Sequence, residues 1–138
     1  FGIDFSRVDE VLKSIREWTV IEGNHIPYYN FEIRATKQDN AMMSCCFDRD
    51  TLYVDFKAKP AEAAPFFKQM EEFLTPYDCR KHWGTGFCNN SDPEYAIKQF
   101  PNMRRFMELI DEFDREGKFR NAELRLWFQN INDHLKTE

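Results

Sequence analysis

The chain has 138 residues, enough for one domain with its own core. It is 42% hydrophobic and 16% aromatic, with 14 Phe, yet 31% charged with a net charge of −5, a balance that excludes a disordered chain and gives no electrostatic pull toward DNA or RNA. No apolar run approaches the roughly 20 residues of a membrane-spanning helix. The chain opens on Phe1 rather than Met and shows no signal peptide, which suggests a cleaved product, a fragment or an incompletely recorded N-terminus.

In chain order, Phe5, Val8, Val11, Leu12, Ile15 and Trp18 recur at helical spacing and predict a helix from about Ser6 to Trp18. Ser6 is placed to cap it, with Asp9 and Glu10 in its first turn. Tyr28 to Thr36 alternates and predicts a strand, with Tyr29, Phe31, Ile33 and Ala35 on one face and Asn30, Glu32, Arg34 and Thr36 on the other. Ala41 to Phe47 is a second candidate strand. Leu52 to Lys59 alternates again, and the Asp48–Arg49–Asp50 turn between these two suggests a hairpin.

Ala61 to Leu74 predicts a helix after Pro60, with Pro65 acceptable only in its first turn. Cys79 to Trp83 predicts a short strand and Gly84 to Ser91 a loop. Pro93 to Phe100 suggests a short helix, Asn102 to Phe113 a clearer one, and Ala122 to about Leu135 the last, with Gly117 ending the region before it. The order implies an α+β domain, an antiparallel sheet with helices packed on one face.

The four cysteines, Cys45, Cys46, Cys79 and Cys88, lack the partners of a zinc site, and the three histidines, His25, His82 and His134, are scattered, so no metal site is expected. Buried free thiols fit the cysteines best, and a Cys79–Cys88 disulfide stays open. The Phe and Met stripes read as core.

The other sheet face carries more information. Glu32 and Arg34 lie about 6.5–7 Å apart on one side of their strand, Asp55 and Lys57 do the same on theirs, and Arg80 and His82 share a face on a third. Such a face is either a solvated surface with cross-strand ion pairs or the wall of a site for a small polar ligand. In the second case carboxylates accept hydrogen bonds from ligand hydroxyls, and a guanidinium supplies fixed donors.

Three ordered segments resemble one family. They are Phe31-Glu32-Ile33-Arg34, Arg80-Lys81-His82-Trp83-Gly84, and a tail from Phe100-Pro101-Asn102 to Asp114-Arg115-Glu116-Gly117-Lys118-Phe119-Arg120-Asn121. Together they are similar to the C-terminal, substrate-side portion of the FAD-linked sugar-lactone and alditol oxidases, within the vanillyl-alcohol-oxidase-like flavoproteins. The resemblance implies that 1–138 is a single cap (substrate) domain whose polar face looks toward a flavin and substrate site. FAD would be bound mainly by a domain absent from this chain, so the expected partners are an FAD-binding chain or N-terminal fragment and a small polar substrate, a sugar lactone or polyol.

By that resemblance Glu32 and Arg34 are catalytic, and Arg34 and His82 also face the cofactor. Asp55, His82 and Thr85 would contact substrate. Thr85 stands where the family usually has Lys, Lys81 replaces a Pro, and Asp55 stands where a relative has His. Lys57, on the face of Glu32, is the candidate to replace the missing lysine as a third catalytic residue. These departures imply altered substrate preference or a cap that no longer catalyses, retained as a structural or assembly subunit. An unrelated ligand-binding α+β module is the remaining reading. Compartment is not assigned: mitochondrion, endoplasmic reticulum and secretion all fit.

Overall fold

The computed structural model describes residues 1–21, 31–84 and 92–137. Tyr28 to Asn30, the loop after Gly84, His25, Cys88 and Thr85 lie outside the described residues.

The chain begins with strand β1 (Gly2–Asp4), a 3-10 turn over Phe5–Arg7 and helix α1 (Val8–Trp18). The expected cap is displaced by two residues. Asp4, not Ser6, is the capping side chain, and it caps the 3-10 turn, its carboxylate accepting from Ser6 N–H at 2.8 Å and Ser6 Oγ–H at 2.6 Å, while α1 itself starts after Arg7 without a side-chain cap. Strands β2 (Glu32–Thr36) and β3 (Thr51–Asp55) follow, and the sheet order is β1-β3-β2, antiparallel throughout. Helix α2 (Pro60–Leu74) comes next, then α3 (Pro93–Gln99), α4 (Met103–Phe113) and α5 (Ala122–Thr137). The fold is thus α+β with an antiparallel sheet, as the sequence implies. No helix among the described residues is long and apolar enough to cross a membrane.

Three expectations change. The segment from Ala41 to Phe47 is a series of turns rather than a strand, so no hairpin joins it to β3. Asp39 is the cause: its carboxylate takes Ala41 N–H at 3.1 Å and Ser44 Oγ–H at 2.6 Å, and the backbone closes from Ser44 N–H to Ala41 O and from Phe47 N–H to Ser44 O. Short polar side chains here offer the backbone a better partner than a ladder. Cys79 to Trp83 is not a strand either. Arg80 alone bridges Gly2, with N–H···O bonds of 2.6 and 2.8 Å. Pro65 lies inside α2, beyond its first turn. The helix starts at Pro60, so the bond Pro65 cannot donate is the one to Ala61, an exposed residue whose carbonyl can turn to water.

Strand alternation sends Ile3, Leu52 and Val54 to one face, where they pack with Val11 and Ile15 of α1 and Phe66, Met70 and Leu74 of α2. Ile3, Val11, Val54 and Met70 are completely buried. A second core joins Ala96, Met103, Met107, Trp127, Phe128 and Ile131 of the last three helices, and Phe100 just after α3, with Cys45 and, partly buried, Met43, Tyr53 and Trp83. Tyr53 is the sheet's contribution to it, pointing opposite Leu52 and Val54. One end of the polar face is therefore roofed by this second core, while the end bearing Asp55 stays open.

Candidate functional site on the polar sheet face

The β2–β3 register sets the site. Glu32 pairs with Asp55, Arg34 with Tyr53 and Thr36 with Thr51. Directly opposed Glu32 and Asp55 would repel, and each is compensated diagonally. Arg34 donates from Nε (3.1 Å) and Nη2 (2.5 Å) to one Asp55 oxygen, and Lys57 Nζ donates to Glu32 Oε1. Hydrogen bonding to Asp55, then its charge, holds the Arg34 guanidinium above its ordinary, already high, pKa. The pairs are open to solvent: 60% of the Arg34 side chain, 55% of Glu32 and 57% of Lys57 remain exposed, against 30% of Asp55. Four charges of alternating sign thus form a shallow, accessible wall.

His82 joins this wall through Tyr53. Its ring lies edge-on to Tyr53 with centroids 6.4 Å apart, and its Nδ1 accepts the Gly84 N–H at 3.1 Å. The Tyr53 face carries Arg34, Cζ to centroid 5.4 Å, and the Tyr53 hydroxyl meets the buried Cys46 thiol at 3.3 Å. Burial and that thiol push the Tyr53 phenol far above its ordinary value.

Arg80, expected beside His82, turns away. It is buried, donating to Gln99 O (2.8 Å), Phe47 O (2.7 Å) and Cys45 O (3.2 Å). Burial lowers its pKa, and three carbonyls satisfy it. Lys81 is buried too, ion-paired to Glu71 and 5.6 Å over the Tyr95 ring. Trp83 Nε1 donates to Met43 O at 2.6 Å, and its ring packs 4.9 Å from Trp127. These three inward anchors leave His82 exposed on the surface.

Glu32, Arg34, Asp55 and Lys57 are therefore brought together, and His82 adjoins them by way of Tyr53. Tyr53 is the member of the wall to which the sequence reading assigns nothing, although alternation with Asp55 and Lys57 puts it on that face. Cys79, Cys45 and Cys46 are buried free thiols, as expected, and the Cys79–Cys88 pairing falls on Cys88, outside the described residues. Among the described residues no group of three or more His, Cys, Asp or Glu could hold a metal ion.

An α+β unit that presents Glu-x-Arg on an edge strand beside a His-Trp-Gly turn is the class of protein expected among the sugar-lactone oxidases. The family model for D-arabinono-1,4-lactone oxidase matches residues 1–130, and the chain belongs to that family. It is similar to mouse (Mus musculus) L-gulonolactone oxidase, 23% identical over 93% of this chain and 30% of the relative. It is 33% identical to the alditol oxidase of a Streptomyces species over 68% of this chain and 23% of the relative. It is 26% identical to Mycobacterium tuberculosis L-gulono-1,4-lactone dehydrogenase over 67% of this chain and 22% of the relative. The chain spans less than a third of the length of these relatives.

Proposed function

We propose that this chain is the substrate-binding cap portion of an FAD-dependent oxidoreductase that oxidises a CH–OH group of a sugar lactone or polyol. The observation that carries this reading is the open wall of Glu32–Lys57 and Arg34–Asp55 pairs on one sheet face. The described residues fit the approach of a flavin ring but not the grip on its phosphates. Of the described glycines, Gly2 opens strand β1, Gly84 stands in a turn and Gly117 lies before α5, so none builds a phosphate cradle. FAD is then held mainly by residues outside 1–138, and 1–138 acts as one cap domain against it.

When bound, the flavin supplies the acceptor for the hydride leaving the carbinol carbon. This chain's residues supply orientation. Glu32 accepts hydrogen bonds from substrate hydroxyls, with Lys57 beside it providing the positive charge the family places at the position of Thr85. Arg34, oriented by Asp55, donates to substrate oxygen and faces negative charge developing on the cofactor side. His82 and Asp55 contribute further polar contacts, and Thr85 is a substrate contact by resemblance alone.

A second reading is favoured by the same wall. Each charge is already compensated within the chain, which suits a cap that has lost catalysis and serves as a structural subunit of a larger assembly. The two readings separate when the protein is purified from its source. A co-purifying yellow flavoprotein chain that bleaches with aldonolactones or alditols supports the enzyme; a colourless preparation indifferent to both sinks it.

A further inference from the structure

We propose that Tyr53 is a positioning residue that acts through Arg34, its ring serving as the platform that fixes the guanidinium plane on the polar face. The inference rests on the proposed substrate role of that face. Arg34 and Tyr53 are direct cross-strand partners, and the guanidinium carbon lies 5.4 Å over the ring. Asp55 takes the Nε and Nη2 edge of the same group. One contact sets the direction of the fork and the other sets its plane. An exposed arginine without both would distribute over many rotamers and meet substrate in few of them.

The platform is itself clamped. The hydroxyl of Tyr53 is engaged by the thiol of Cys46, which is 2% exposed. The backbone N–H of Cys46 donates to Ser44 Oγ, and Ser44 Oγ–H donates to Asp39, so the turn is closed around the thiol. His82 meets the ring edge-on. The residue thereby links the second core to the charged wall. A phenol held protonated by burial keeps the ring a neutral quadrupole at every pH of use.

Mere packing would need only the volume of the ring, whereas positioning needs its electrostatics. Phenylalanine carrying zero, one, two or three fluorines at position 53 weakens the quadrupole stepwise at nearly constant shape. In the flavin-loaded assembly kcat should fall in step, on the order of tenfold across the series, while KM and the unfolding midpoint change little. A flat kcat overturns the proposal. In the full chain, NMR of the Arg34 δ protons should show an upfield ring-current shift that Tyr53→Phe keeps and Tyr53→Leu loses. An unshifted wild type overturns the placement of Arg34. If Tyr53→Leu fails to fold, the fluorinated series still decides. If no flavin-loaded assembly exists, the functional reading fails by itself, and the ring-current shift alone decides whether Tyr53 holds Arg34.

Discussion

Asp55 at the end of β3 and Lys57 two residues beyond it carry opposite charges, and each is tied to the opposite charge of the Glu-x-Arg strand. Because both pairs are exposed, they contribute little to stability, and a substitution there reads out chemistry rather than folding. Lys57→Ala in the flavin-loaded enzyme should lower kcat by at least about tenfold, the effect of removing a charge that acts on the transition state. Its melting temperature should stay within a degree or two of wild type. Wild-type turnover would show that Lys57 does not replace the missing family lysine. Cys79 gives a prediction on pH. Burial pushes its thiol from 9.0 up to about 12, so the folded chain keeps a proton that the unfolded chain has lost. Above pH 9 the unfolded state binds fewer protons than the folded one, and stability therefore falls as pH rises from 9 toward 12. Urea unfolding at pH 8, 9 and 10 checks the sign, and Cys79→Ala should flatten the decline.

At the scale of elements, what could be read from the sequence was what periodicity alone decides. The stripes of α1 and α4 and the alternation of β2 and β3 give those elements and both faces of the sheet, including Glu32, Arg34, Asp55 and Lys57. The Ala41–Phe47 segment looked like a strand because its composition suits one, yet Asp39 and Ser44 divert its backbone into turns. Arg80 was misplaced because a bridge of one residue does not impose alternation, and buried carbonyls claimed the guanidinium instead. Arg80→Met should therefore destabilise the chain by about 2–4 kcal/mol, since it strands three carbonyls and empties their donor. Differential scanning calorimetry would register this, and an unchanged transition would contradict the anchoring role. Gly117, expected to end the region after α4, lies in the turns beyond Asp114, the residue that caps that helix. The φ of Gly117 is +65°, and a Cβ there would stand 2.7 Å from Arg125 Nη1. Gly117→Ala should cost about 1–2 kcal/mol, mostly from backbone strain, with a lower denaturation midpoint.

The whole molecule is organised around β3, whose odd and even residues belong to different cores. Leu52 and Val54 join the core of α1 and α2; Tyr53 joins that of α3, α4 and α5. Both β1 and β2 hydrogen-bond to it, and β2 lies at an edge with all five residues exposed, Ile33 among them. The polar wall is thus carried on the middle strand and its least covered neighbour. That arrangement has a consequence for motion. Amide protons of Leu52 to Val54 point alternately toward β1 and β2 from the middle strand, and each exchanges only when its flanking strand parts, whereas those of Glu32 to Thr36 need only a fraying edge. Native-state exchange should find the slowest amides of the chain beneath Asp55 and some of the faster ones beneath Arg34. The two halves of a single ion pair would then sit on backbones that open on timescales set by different parts of the fold, the Arg34 strand fraying sooner than the strand that carries Asp55.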